Sequence, residues 1–342
     1  TLPTARGAPH YDKIALTDDL PRRPGVYWFV DGDGTTIYVG KAKNLRSRVK
    51  SYFYGDDRKT VAQMLRDLRG IEHRVCATEL EAEVTELRLI GEHLPRYNRR
   101  GRPARSPHWV KLTDERYPRL SMVRTVRDDG GLYLGPFRSR RAAEVVVHGI
   151  WDAVPIRRCN GNGKKRSAAC SFAQLGVASC PCTGATTDAD YERVVAVLRA
   201  GVLEDPGLLL DPLRARMSSM AQDQRFEEAA DVRDRYRALA RAIERRRAWG
   251  ALRAAGTLWL EDGGGDGAIV DGGRLVASWN ESGAAPLTAM SPPGEPGPEV
   301  PASVPDAEEA HLVWRWMQRP GVRIVDASGL LSLPSRAVPA LG

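Results

Sequence analysis

The sequence predicts an α+β protein built in sections: a small antiparallel sheet flanked by helices, a cysteine-rich linker, a helical hairpin and a small C-terminal α/β module. Three observations predict it. Val26-Tyr27-Trp28-Phe29-Val30 and Thr35-Thr36-Ile37-Tyr38-Val39 are β-branched and aromatic runs joined by Asp31-Gly32-Asp33-Gly34, a strong hairpin signal. Apolar residues recur at helical spacing in Leu80, Val84, Leu87 and Ile90, and again in Val232, Tyr236, Leu239 and Ile243. Near the C-terminus, short apolar runs alternate with Gly/Asp turns.

In chain order, residues 1–17 have linker-like composition and start at Thr1, which reads as the continuation of a longer polypeptide with a further N-terminal domain. Residues 18–102 form the first domain. After the hairpin, Gly40 ends the second strand and a basic helix spans Lys41 to Phe53, with Asn44 as its cap and Leu45, Val49 and Tyr52 as its apolar stripe. Arg48 and Tyr52, four apart, share a face. Thr78-Glu79-Leu80-Glu81 reads as a capping box opening a second helix, which Pro95 closes. Residues 103–158 connect this domain to the cysteine-rich region at 159–208, where Tyr191 to Leu203 is helical. A helical hairpin occupies 209–247, with helices from Leu213 to Met220 and from Phe226 onward. The tail, 248–342, carries strands at Thr257–Leu260, Ala268–Val270 and Arg274–Trp279, a proline-rich stretch from Pro286 to Pro305, a helix from Ala307 to Gln318 and a strand at Val322–Val325.

The charge balance narrows the partner. A net charge of +8 and a pI of about 9.4 suit a polyanion. From Lys41 to Lys59 seven basic residues face Asp56 and Asp57, and from Arg96 to Arg119 eight face Asp114 and Glu115, with Trp109 and Tyr117 interleaved as candidates for base stacking or burial. No apolar run is long enough to span a membrane. Glu86 lies on the flank of its helix stripe near Glu79 and Glu83, with Tyr97-Asn98 just past the helix end. One carboxylate near a tyrosine and an arginine suffices for a one-metal hydrolytic site, because Mg²⁺ fills its remaining positions with water and phosphate oxygens. A solvent-facing helix glutamate is the plainer reading.

Of the five cysteines, Cys76 stands alone and reads as a small buried apolar residue, whereas Cys159, Cys170, Cys180 and Cys182 fall within 24 residues and suggest a metal site. Four thiols of this kind serve zinc and iron–sulfur centres equally. The tail carboxylates Glu261, Asp262, Asp266 and Asp271 sit among glycines and read as turn formers.

Taken together, Pro24-Gly25-Val26-Tyr27, Ile37-Tyr38-Val39-Gly40-Lys41-Ala42-Lys43-Asn44-Leu45, Arg48, Tyr52, Glu86 and Pro95-Arg96-Tyr97-Asn98 resemble the GIY-YIG nucleases of the UvrC/Cho family. The resemblance continues through Tyr117-Pro118-Arg119-Leu120 and Gly130 to Phe137, and covers roughly residues 18 to 247. It implies a metal-dependent DNA endonuclease of nucleotide excision repair, cytoplasmic and nucleoid-associated in a bacterium, that makes one nick on the 3′ side of a lesion. Glu86 would hold Mg²⁺ or Mn²⁺. Tyr38, or less favourably Tyr27, would deprotonate or position the attacking water, and Lys41 and Arg48 would act electrostatically. Because an unperturbed tyrosine titrates near ~10, a base role needs nearby cations, of which Lys41 is a plausible source, or metal-bound water to favour the phenolate. Tyr52 and Asn98 would orient the phosphate or the water. Lys43, Arg46, Lys50, Arg99, Arg100 and Arg102 would contact the DNA.

The cysteine quartet implies an iron–sulfur cluster (4Fe-4S) or structural zinc, although Cys180-Pro181-Cys182 is spaced more tightly than in relatives. Phe226-Glu227-Glu228-Ala229-Ala230-Asp231-Val232-Arg233-Asp234 resembles the UVR motif, which implies UvrB as partner through Phe226, Ala229, Ala230 and Arg233, with the chain itself a monomer. No spaced Asp, Asp and His set marks an RNase H-like second nuclease, so one active site is expected. The rival readings are a non-catalytic adaptor for DNA and UvrB, and a structure-specific GIY-YIG nuclease outside excision repair.

Overall fold

The Asp31–Gly34 turn joins strands β1 (Gly25–Val30) and β2 (Thr36–Ala42) into the expected hairpin in the computed structural model, which describes residues 11–54, 58–99, 104, 106–159, 169–281, 283–285, 299–334 and 336–341. Strand β2 runs through Lys41, which pairs with Val26. The basic helix therefore starts later than expected: α1 covers Leu45–Lys50, and the Asn44 side chain caps it by accepting from Ser47 N at 3.0 Å. Helix α2 (Lys59–Asp67) leads to β3 (Gly70–Val75), which pairs with the other edge of β1, giving the order β2-β1-β3.

Helix α3 (Glu79–His93) opens as the capping signal requires, since Thr78 Oγ1 accepts from Glu81 N at 3.1 Å. The return bond is displaced by one residue: Glu81 Oε2 accepts from Ala77 N at 2.7 Å. Glu81 is fully buried, which its charge did not predict.

The chain folds as two units, each drawn from separate stretches of sequence. The first comprises residues 1–103, 256–293 and 308–329, so much of the tail belongs with the first domain. The second comprises 104–255, 294–307 and 330–342.

In the second unit, β4 (His108–Leu112), β5 (Leu120–Val123) and β6 (Leu132–Phe137) form a sheet of order β5-β4-β6, a feature the sequence did not disclose. Trp109 on β4 is buried against Tyr133 and Val300, so it is a core residue and is unavailable for base stacking. Helices α4 (Arg140–Ala153), α5 (Ser171–Gln174), α6 (Asp188–Leu203), α7 (Gly207–Gln222) and α8 (Phe226–Ala255) follow. Val232, Tyr236, Leu239 and Ile243 are buried in one core with α4, α6 and α7 residues, as their spacing requires. Helix α8 continues past residue 247 to Ala255, and α7 is longer at both ends than the apolar stripe indicated.

The tail strands β7 (Thr257–Glu261), β8 (Gly267–Asp271), β9 (Arg274–Asn280), β10 (Gly283–Ala285) and β11 (Arg323–Ala327) form a five-stranded antiparallel sheet of order β10-β9-β8-β7-β11. Asp262 Oδ1 accepts from Gly264 N and Asp266 N, the turn role expected of it. Helix α9 (Val304–Met317) precedes β11. Within the first unit this module meets α3 through polar contacts: Ser278 Oγ donates to Glu81 Oε2 at 2.8 Å, and Arg88 forks onto Glu309 at 2.6 and 3.0 Å. Of the proline-rich stretch from Pro286 to Pro305, residues 286–298 lie outside the described residues, and its end at Val304-Pro305 already belongs to α9.

Candidate active site

Strand alternation places Tyr27 and Tyr38 in one apolar cluster with Phe29 and Tyr52, their ring centroids 5.6 to 6.3 Å apart. Gly40, opposite Tyr27 in the ladder, is a steric necessity: a Cβ there would stand 2.5 Å from the Tyr27 hydroxyl. Gly25 has the same constraint against the Arg74 carbonyl.

Three hydroxyls and a guanidinium form a chain. Tyr52 Oη lies 2.9 Å from Tyr27 Oη, donates to Tyr38 Oη at 3.0 Å and accepts from Arg48 at 3.3 Å. Helix α1 ends at Lys50, short of the Phe53 expected, and Tyr52 in the turn beyond it brings its ring under the Arg48 guanidinium, 5.0 Å from its centroid. Burial raises the pKa of both Tyr27 and Tyr38, with Tyr52 adding to it and Arg48 opposing. The expectation that cations would favour the phenolate is therefore corrected, because desolvation outweighs Arg48. Tyr27 has no exposure, whereas Tyr38 is half-buried and reaches solvent.

Tyr38, Arg48, Tyr52 and Glu86 line one cavity of about 630 Å³, with Tyr97, Asn98, Arg58 and Arg99 on its wall. Burial raises the pKa of Glu86, Lys41 opposes it and Glu83 reinforces it. A desolvated carboxylate beside phenol oxygens in an open cavity is a hard-oxygen site that fits a Mg²⁺-type cation needing one protein ligand. Lys41 is not on the cavity wall: its side chain pairs with Glu83, and its main-chain N–H faces the Glu86 carboxylate. Burial pushes the Glu83 carboxyl up, but Lys41 and Arg315 together hold it below its ordinary range.

Asn98, on the cavity wall, also has a structural task. Its side-chain oxygen accepts from Val39 N and its amide donates to Val39 O, both at 2.9 Å, so it holds β2. Of the DNA-contact candidates, Lys43 and Arg99 are exposed. Arg46 donates to the carbonyls of Leu20 and Asp18, and Lys50 pairs with Asp18. Arg100 and Arg102 lie outside the described residues. Sequence reasoning missed Glu83 as the partner of Lys41 and Arg58 as a wall residue. The signal for Glu83 was its position three before Glu86, on the same helix face.

The cysteine region is only partly assembled. Cys170 and Cys180 bring their sulfurs within 3.6 Å, Cys182 packs in the same cluster, and Cys159 receives the Arg157 guanidinium at 3.7 Å. Among the described residues no group of three or more His, Cys, Asp or Glu is arranged to hold a metal ion. Cys76 is buried, as expected, and burial pushes its thiol up to about 12. On α8, Phe226 is 66 % exposed, Arg233 is paired with Asp234, and Ala229 is buried in the unit's own core. Among the described residues no helix is long and apolar enough to cross a membrane.

Residues 23–99 match the family model of the UvrC-like GIY-YIG domain, and residues 108–200 match that of the UvrC/Cho excinuclease middle domain. A putative bifunctional exonuclease/endonuclease protein of Mycobacterium tuberculosis is 37% identical over 96% of this chain and 53% of its own length. The UvrABC system protein C of Syntrophotalea carbinolica is 36% identical over 73% of this chain and 40% of its own length. The chain thus spans about half, or less, of these relatives. The GIY-YIG N-terminal endonuclease domain of UvrC from Thermotoga maritima, solved with its catalytic divalent cation magnesium, is 35% identical over 27% of this chain and 98% of that one, with a TM-score of 0.23.

Proposed function

The chain belongs to the UvrC/Cho-like GIY-YIG endonucleases, and from that membership we propose that it is a divalent-metal-dependent DNA endonuclease of nucleotide excision repair, making a single nick on the 3′ side of a lesion when recruited by UvrB. The observation that carries the reading is the convergence of Tyr38, Arg48, Tyr52 and Glu86 on one open cavity. Three arginines against one carboxylate on its wall suit a phosphodiester approaching a cation.

Glu86 would hold Mg²⁺ or Mn²⁺, which when bound polarises the scissile phosphate and favours ionised water. The remaining work falls to the chain. Arg48 presents a planar fork to the phosphate oxygens whose charge grows in the transition state. Tyr38, kept as the neutral phenol by burial, orients the attacking water through its hydroxyl, and the water's proton leaves to solvent in the open cavity as the bond to phosphorus forms. Tyr52 fixes the Tyr38 hydroxyl, and Tyr27, buried behind it, anchors Tyr52. In-line attack leaves a 5′-phosphate and a 3′-hydroxyl. Lys43 and Arg99 extend the basic surface for the strand, and exposed Phe226 at the start of α8 is the anchor for UvrB. The described cysteines are not arranged to hold a metal ion, and metal analysis with visible absorption tests the quartet for zinc or an iron–sulfur cluster. The protein works as a monomer in the bacterial cytoplasm.

The test is nicking of an end-labelled duplex carrying one bulky lesion, with Mg²⁺ or Mn²⁺, with and without UvrA and UvrB, for wild type and Glu86→Ala. A single 3′-side nick requiring Glu86 and UvrB is expected. Lesion-independent cutting that ignores UvrB would point to a nuclease outside excision repair, and no cutting at all would refute catalysis.

A further inference from the structure

Helix α3 carries Glu86, and the tail module reaches that helix at a position one turn away. Arg315 on α9 donates to Glu83 Oε2 at 2.6 Å, while the other oxygen of the same carboxylate pairs with Lys41. The Glu83 side chain is 11% exposed, so two cations on its two oxygens leave it little freedom to turn. Lys41 is in turn the residue whose main chain faces Glu86. A row therefore runs from the tail to the candidate metal carboxylate: Arg315, Glu83, Lys41, Glu86.

The geometry points to Arg315 as a positioning residue of the nuclease, acting through Glu83 to hold the Lys41 ammonium beside the Glu86 site; this rests on the endonuclease reading above. Two effects follow from removing it. The Glu83 carboxylate becomes free to rotate, so Lys41 loses its fixed position. It also gains a share of uncompensated negative charge one helical turn from Glu86, where an incoming phosphate must approach. Arg319, on the same side of the module, makes a similar bond to Glu79 at 3.2 Å, at the start of α3 and away from the site. It supplies a matched control for simple docking of the module.

The experiment measures nicking rates of the full chain on damaged duplex with Mn²⁺, UvrA and UvrB for wild type, Arg315→Ala, Arg315→Lys, Glu83→Gln, the Arg315→Ala/Glu83→Gln double variant and Arg319→Ala. Arg315→Ala is expected to be slower by about tenfold, and Arg315→Lys, which keeps one donor on Glu83 Oε2, to recover most of the rate. In the Glu83→Gln background the Arg315 substitution is expected to change the rate less than about twofold, since the group through which it acts is already neutral. Arg319→Ala is expected to cut as wild type does. Equal slowing by Arg319→Ala, or a full Arg315 effect in the Glu83→Gln background, would overturn the positioning role while leaving the nuclease reading intact. So would an Arg315→Ala protein that cuts at the wild-type rate. A wild-type protein that cuts under no condition would overturn both.

Discussion

The buried pair between Arg88 and Glu309 should be what fastens the tail module to α3, and Arg88→Met tests it. Arg88 donates through two nitrogens to both Glu309 oxygens and also to the Leu275 carbonyl at 2.8 Å, while Glu309 accepts from Leu275 N at 2.9 Å. The two side chains are 11% and 5% exposed. Methionine keeps the length of the side chain and removes the charge, leaving the Glu309 carboxylate with one main-chain donor. Breaking one side of a buried pair costs about 3–5 kcal/mol, and the remaining Leu275 bond favours the lower end, about 3 kcal/mol. The penalty falls on opening of the module rather than on the whole chain, so the suitable assay is native-state hydrogen exchange of β9 and residues 308–317 of α9. A loss of about 3 kcal/mol accelerates exchange there roughly a hundredfold or more, at about 1.4 kcal/mol per factor of ten. Arg88→Met/Glu309→Leu should recover most of the protection, because an apolar pair at such a site is close to neutral. Acceleration under about fivefold, or no recovery in the double variant, would refute the reasoning.

Two further outcomes follow from the site. Glu86→Gln should abolish metal-dependent nicking yet raise the melting temperature of the metal-free protein near neutral pH, because burial disfavours the Glu86 carboxylate in the fold. The sign is fixed: a carboxyl whose folded pKa is raised destabilises when ionised and is harmless once protonated in both states. The gain should therefore vanish as pH falls below the ordinary carboxylate range, and melts from pH 4 to 8 would expose a wrong sign. Asn98→Ala strips both side-chain partners from Val39 in a buried setting and should cost about 2 kcal/mol, seen as a melting temperature several degrees lower with nicking reduced.

The sequence was most legible where the determining interactions are local. Asn44 and Thr78 reach donors three residues away, so their caps could be read directly, and the spacing of Val232, Tyr236, Leu239 and Ile243 needs only the helical period. Lys41 was misassigned to a helix because strand pairing with Val26, fifteen positions earlier, decides its conformation. The convergence of Tyr38, Arg48, Tyr52 and Glu86 was legible as a pattern, but the phenol environment was not, since its sign depends on how completely the cluster excludes water. Trp109 looked available for stacking until β6 and Val300 covered it. Glu81 and Glu83 were hardest to read: their partners Ser278 and Arg315 lie 197 and 232 residues further along the chain.

That separation has a consequence for a chain emerging from a ribosome. Arg88 leaves the exit tunnel 221 residues before Glu309, which at ordinary synthesis speeds is a delay of about 10–45 s. Throughout that interval α3 holds charges whose counterparts do not yet exist, and the helix must keep them hydrated. The fastening of the first unit is written 221 residues after the helix it fastens, so a nascent chain stopped in between would carry the candidate site residues without their support.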